Sequence, residues 1–518
     1  MKKDFYTVIK GKITKKPPFK GDFNILKQKE VSLHFNATFY LRACRRVSFT
    51  NYFSYYKAFF LLIYERGFSL EKAKLTGRIV TPNDADYEQA RTNNTLNNPK
   101  FPKIIVFCQN TIDVLNAVKW ARENRVPFRV RSGRHSYENF SLVNGGLVID
   151  VSEMNEITVN QKDLTAKIEA GANLGQVYNK LWEYGTTIPA GTEFSVGVAG
   201  LTLGGGIGFL SRLLGLTCDS LLEVEMVVAS GHREAKLIKA NKDQNSDLFW
   251  ACCGGGGGNF GIVASFTFKL HPISKVSIFT ITWEWDDFEV AYDTWQNWTP
   301  NIDEHLTSVI ELHTKEVNQI TAQGQYVGPL SRLMTLIQPL VDAGSTINVN
   351  VKEVSFIEAV RFFNDPNSNL PGYRKRSGSF INEPLPRKAI LTMKQFLENP
   401  PNEKATIWQQ SLGGTVKEIA PDETAFYYRD AEIAQQYITS WSNPEEEQQN
   451  TRWVEELRNA LSRYTTGDYV NWPDRLIRDW LTAYYGGNLK RLRAVKQEYD
   501  PFNVFEFPQS IPPYRKWI

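Results

Sequence analysis

The sequence predicts an α+β protein of two or three domains, on three observations. A strand–helix–strand unit occupies residues 103–131, two glycine clusters flanked by apolar strands follow it, and beyond residue 276 alternating strands mix with amphipathic helices. A chain of 518 residues has room for such an arrangement and for a sizeable buried core.

In the first unit, "KIIVFCQ" (103–109) is an apolar run of strand length. "TIDVLNAVKWARENR" (111–125) sets Val114, Leu115, Val118 and Ala121 on one helical face, with Thr111 as N-cap, and "VPFRVRS" reads as the next strand. A right-handed β-α-β crossover is expected. The turn "RSGRHS" (131–136) then falls at the carboxyl end of a strand, where free backbone N–H groups commonly face a ligand.

The glycine clusters are "GVAGLTLGGGIGFLSR" (197–212) and "CCGGGGGNFGIV" (252–263), each set beside apolar strands at 222–231 and 262–272. Glycine costs roughly 0.5–1 kcal/mol per site against alanine inside regular structure, so tracts this dense need a reason. Close approach of backbone amides to a ligand supplies one. "GGGIG" alone makes a weak dinucleotide fingerprint, and its acidic partner is ambiguous among Asp219, Glu223 and Glu225. The chain has no G-x-x-x-x-G-K-[ST], no H-E-x-x-H and no C-x-x-C, which argues against a P-loop enzyme and against a metal site.

Charge is uneven. Residues 1–78 hold 17 Lys/Arg against 5 Asp/Glu, and the remainder 43 against 51. An acidic body argues against a nucleic-acid partner. The aromatic run "YFSYYKAFFLLIY" (52–64) is too short for a membrane-spanning helix and too far from Met1 for an ordinary signal peptide. Residues 1–75 therefore read as a basic extension of uncertain order, as a peripheral-membrane or partner-docking segment, or as an upstream stretch wrongly included in the chain. Cys44, Cys108, Cys218, Cys252 and Cys253 form no spaced pair, which points to reduced thiols and a cytoplasmic location.

From about residue 75 to 513 the order of "RSGRHS", "PAGTEFSVGVAGLTLGGGIG", "LFWACCGGGGGNFGIV", "YVN" and "DPFNVFEFPQSIPP" resembles the berberine-bridge-enzyme-like FAD-linked oxidases of the vanillyl-alcohol-oxidase/PCMH superfamily. The resemblance implies a PCMH-type FAD-binding domain of two subdomains at 76–275 and an α/β substrate domain at 276–455, an antiparallel sheet covered by helices. Residues 456–518 would return to complete the FAD domain.

The resemblance also implies the site. Arg131, Ser132, Gly133, Arg134, His135 and Ser136 would wrap the FAD pyrophosphate, with His135 bonded to the flavin. Gly197, Gly200, Leu201, Gly205, Gly208, Gly261, Ile262, Val263 and Asn471 would complete the cofactor site. Tyr469 would be catalytic, assisting removal of a hydroxyl proton; with an ordinary pKa near ~10 it needs a cationic neighbour or a hydrogen-bond network. Arg134 stands where the family usually has glycine, so the backbone there either avoids positive φ or gains a pyrophosphate contact. Glu193 stands where doubly tethered members carry cysteine, which leaves a single tether through His135.

Trp408, Gln410 and Tyr428 are candidates for the substrate side. The activity implied is oxidation of an alcohol-type carbon in a small molecule, with molecular oxygen as acceptor. A dehydrogenase using another acceptor, or a non-catalytic coat-type protein on the same scaffold, are the alternatives.

Overall fold

The computed structural model describes residues 73–231 and 234–514. The basic extension, its aromatic run and Cys44 lie outside them, apart from residues 73–75. Among the described residues, no helix is long and apolar enough to cross a membrane.

The first sheet has four strands in the order Arg78–Val80, Ile104–Phe107, Leu147–Asp150, Phe128–Arg131. The expected crossover connects strands that are not neighbours: Ile104–Phe107 and Phe128–Arg131 each run parallel to Leu147–Asp150, which lies between them. The connecting helix is Thr111–Asn124. Its N-cap is Asn110, one residue before the expected Thr111, and the Asn110 side chain accepts from the N–H groups of Ile112 and Asp113. Val114, Ala117, Val118 and Ala121 are buried against both this sheet and the second.

The second sheet is antiparallel, ordered Ile157–Asn160, Thr165–Glu169, Ile262–Lys269, Leu221–Ser230, Glu234–Asn241. The strands that follow the two glycine clusters are thus hydrogen-bonded neighbours, which brings the clusters together in space.

The third sheet has seven antiparallel strands, ordered Thr346–Ser355, Lys275–Glu284, Gln319–Tyr326, Leu306–Leu312, Thr406–Ser411, Ile433–Trp441, Tyr373–Ile381. Helices Phe288–Trp298, Leu330–Val341, Arg387–Glu398 and Glu447–Leu461 cover one face. Residues at helical spacing, such as Leu333, Ile337 and Leu340, meet alternate strand residues Ile310, Leu312, Ile407 and Tyr437 in a separate core. The period-2 geometry of each strand leaves the opposite side chains on the uncovered face.

Two buried ion networks tie these parts together. Arg131 Nε donates to Asp150 Oδ2 at 2.6 Å, with neither side chain exposed, and its Nη2 donates to the Ala90 carbonyl at 2.7 Å. Lys375 of the third sheet donates to Glu138 at 2.8 Å and to Asp474 at 2.5 Å, joining the loop after His135 to the C-terminal segment. Removing one partner of a buried pair leaves an uncompensated charge. Asp150→Ala is therefore expected to lower the unfolding free energy by about 3–5 kcal/mol, read as a fall in the urea midpoint, whereas Glu183→Ala in the exposed pair with Lys180 leaves it nearly unchanged.

Candidate active site

The site is built first from backbone. A Cβ on Gly133 would lie 2.1 Å from Gly197 N, and one on Gly197 would lie 2.5 Å from Ser132 Oγ. The turn after strand Phe128–Arg131 and the start of helix Val198–Leu203 therefore touch main chain to main chain, which only glycine on both sides permits. Ser132 Oγ donates to the Ala170 carbonyl at 2.8 Å and holds the turn against the second sheet. Gly200 faces open space, and its Cβ would meet nothing within 4 Å.

These loops bound a cavity of about 600 Å³. Of the expected site residues, Arg131 through Ser136, Gly197, Gly200, Leu201, Gly208, Gly261, Ile262, Val263, Tyr469 and Asn471 line it. Gly205 does not. It has φ 118° and packs under Phe426 and Leu216 within the core, so its lack of a Cβ serves packing. The guanidinium of Arg131 is spent on Asp150 and Ala90, so its part in the site is to fix the turn. Sequence reasoning missed Gly256, Gly257, Gly258 and Asn259, which line the cavity from the five-glycine run.

Arg134 adopts φ 62°, the left-handed region that glycine takes without penalty. The expectation that its side chain would keep the backbone out of positive φ is therefore overturned: neighbouring contacts hold the turn in that shape. Its carbonyl accepts from Asn94 N at 3.1 Å, its guanidinium donates to the Gln89 carbonyl at 3.2 Å, and the same group lies 5.8 Å from the Phe107 ring. Among the described residues, no protein acceptor takes the backbone N–H of Gly133, Arg134, His135 or Ser136. Successive free amides around one left-handed residue form an anion-binding concavity.

His135 sits between Asn94 Nδ2, 2.9 Å from its Nδ1, and Ser195 Oγ, 2.9 Å from its Nε2. Burial, with the positive charges of Arg376 and Arg374, holds its pKa down at about 4. The imidazole is neutral at physiological pH.

Tyr469 is buried, and its hydroxyl accepts from Gly206 N at 2.8 Å and from Asn471 Nδ2 at 2.9 Å. Asn471 Nδ2 also donates to the Leu201 carbonyl at 2.9 Å. Of the two supports expected for the phenol, a cation or a hydrogen-bond network, the neutral network is the one present, and burial raises the pKa above the ordinary tyrosine value. At neutral pH it stays a phenol.

The far end of the cavity is the uncovered face of the third sheet. Glu311, Trp408, Gln436 and Gly378 are register partners across four adjacent strands. Trp472 fills the space above Gly378 and meets Trp408 edge-on, with ring centroids 5.8 Å apart. Arg376 donates to Gln436 Oε1 at 3.1 Å and lies over the Tyr137 ring. Gln410 donates to the Gly208 carbonyl at 2.9 Å and clamps this face to the first glycine cluster. Trp408 and Gln410 line the cavity as expected from strand alternation, but Tyr428 does not: it stacks on Phe380 and donates to the Ala483 carbonyl at 2.7 Å. Glu311, Arg376, Gln436 and Trp472 were not anticipated. Alternation along 306–312, 373–381 and 433–441 was the only signal for the first three, and Trp472 lies in the turn just past residues 469–471.

A family profile described as "FAD binding domain" matches residues 102–235, and one described as "Berberine and berberine like" matches 468–512. The chain is 62% identical over 447 residues to "Uncharacterized FAD-linked oxidoreductase YgaK" of Bacillus subtilis (strain 168), covering 86% of this chain and 99% of that protein. The protein belongs to the berberine bridge enzyme-like family of FAD-linked oxidoreductases. It is 29% identical to "Monolignol oxidoreductase AtBBE-like 13" of Arabidopsis thaliana, over 80% of this chain and 84% of that one. The solved structure of Physcomitrella patens BBE-like 1 superposes with a TM-score of 0.80 at 31% identity, covering 86% of this chain and 98% of that one.

The residues present fit FAD. Free amides at Gly133–Ser136 suit a pyrophosphate, and Gly200 and Gly257 leave room where any side chain would intrude on the cavity. Gly133→Ala is expected to push the two loops apart and to cut the flavin bound per chain severalfold, with far-ultraviolet circular dichroism unchanged. Absorbance of the purified protein near the flavin band, against protein concentration, checks it.

Proposed function

We propose that the protein is an FAD-dependent oxidase acting on a small phenolic, sugar or related secondary-metabolite alcohol, with molecular oxygen as acceptor and hydrogen peroxide as product. The observation that carries this reading is a single cavity that joins the amide-lined turn at His135 to a sheet face bearing indoles, amides and carboxyls. FAD, when bound, supplies the acceptor for a hydride leaving the carbinol carbon.

The chain's own residues bind, orient and exclude water. The amides of Gly133–Ser136 and the glycines at 197, 200 and 256–258 would hold the cofactor's phosphates and isoalloxazine. His135, neutral and with its ring fixed at both nitrogens, is a competent nucleophile for a single covalent tether. Glu193 cannot form a thioether, so no second tether is available. Trp408 and Trp472, set edge to face, suit a flat aromatic alcohol, and the name of the Arabidopsis thaliana relative, a monolignol oxidoreductase, supports that class. The free, buried Cys108, Cys218, Cys252 and Cys253 support a reducing, cytoplasmic setting.

Denatured wild-type protein is expected to stay yellow and to carry one extra FAD mass, and His135→Ala to release its flavin. In steady state, aryl-allylic alcohols should yield peroxide stoichiometric with oxygen consumed. Fast dye reduction with slow oxygen use would mark a dehydrogenase instead, and a protein that never binds flavin would sink the enzymatic reading.

A further inference from the structure

If the substrate is an alcohol, its hydroxyl proton must pass to a base as the carbon becomes a carbonyl, and Tyr469 is poorly placed for that. Its oxygen already accepts two N–H donors and its burial favours the phenol. The uncovered face of the third sheet offers another group. Glu311 projects into the cavity beside its register partner Trp408, two strands from Gln436. Among the described residues, no lysine or arginine lies within ion-pair distance of its carboxyl. Its nearest polar partners are Gln323 Nε2 at 3.5 Å and His313 Nε2 at 3.6 Å, both at the limit of a hydrogen bond. Arg376, the cation of this face that lines the cavity, is committed to Gln436 and Tyr137. A carboxylate held in a cavity wall without a strong partner has lone pairs to offer a ligand hydroxyl.

We propose that Glu311 is the base of the reaction, accepting the substrate's hydroxyl proton on a carboxylate oxygen. The balance is simple: the C–H bond gives its hydrogen and electron pair to the bound flavin, the O–H bond gives its proton to Glu311, and the alcohol leaves as a carbonyl compound. This rests on the alcohol-oxidising reading above.

The groups facing Glu311 set its working range. Burial and the Glu193 carboxyl, on the turn next to His135, hold its pKa above the ordinary glutamate range. His313 is held neutral by burial, while Arg376 and Asp365 line the same cavity and act on Glu193. The carboxylate is the active form, so the rate falls as pH drops through this raised pKa.

The test uses the FAD-loaded full chain as wild type, E311Q, E311D and E193Q. Reduction by an aryl-allylic alcohol in anaerobic single turnover should show an acid limb in the wild type. E311Q should react at least about a hundredfold more slowly and lose that limb, E311D should recover part of the rate, and E193Q should keep most of it with the limb shifted to lower pH. A second readout is independent of turnover. An unreactive tertiary aryl alcohol, followed by perturbation of the flavin spectrum, should bind the wild type more tightly as pH rises through the limb, bind E311Q without pH dependence, and its methyl ether should show none with either protein. E311Q reacting within about threefold of wild type with the limb intact, or E193Q alone abolishing it, overturns the assignment of the base but leaves the oxidase reading standing. A wild type whose flavin no alcohol reduces overturns both.

Discussion

The structure depends on a contact between two stretches of main chain. Gly133 and Gly197 touch with no space for a Cβ on either, and that contact sets the turn carrying His135 against the first glycine-rich segment. Glycine is required by close approach at other points around the cavity as well. A Cβ on Gly204 would fall 2.1 Å from Asn471 Oδ1, and one on Gly254 would fall 2.3 Å from Phe426 N. Each glycine gives up conformational entropy on folding, so the apolar cores must offset the cost. Arg131–Asp150 and Lys375–Glu138–Asp474 fix the geometry at the points where the turn could otherwise drift.

A second constraint is desolvation, which pushes most titratable groups around the cavity toward their uncharged forms. His135 is held neutral, Tyr469 is held as a phenol, and the carboxyls of Glu193 and Glu311 are raised. The cause is shared: a cavity walled by backbone and aromatic rings stabilises charge less than water does. A neutral imidazole suits nucleophilic attack, and a carboxyl of raised pKa is a stronger base once ionised.

The C-terminal segment shows how distant parts of the chain share one site. Tyr469 reaches Gly206, Asn471 reaches Leu201, and Lys496 donates to the Asn259 carbonyl at 2.7 Å, so residues 468–512 brace both glycine clusters. Gln410 does the same from the third sheet through Gly208. The two ends of the cavity are thereby held in one frame without a disulfide among the described residues.

The motifs of the cofactor side were legible in the sequence because each is a local string: glycine density, a histidine in a Ser-Gly turn, and apolar runs of strand length report local backbone requirements. Hydrophobic alternation likewise announced the strands beyond residue 276 and put Trp408 and Gln410 on a common face, while pairing and helix packing decided that this face is the open one. Other features were decided by tertiary structure. Strand order placed Leu147–Asp150 between the two strands of the expected crossover. Packing sent Gly205 into the core and set Tyr428 half-buried against it, and contacts from Gln89, Asn94 and Phe107 held Arg134 at positive φ. Glu311, Trp408, Gln436 and Gly378 stand in one row although they span residues 311 to 436, because cross-strand register, unlike alternation, is settled only when strands from distant parts of the chain pair.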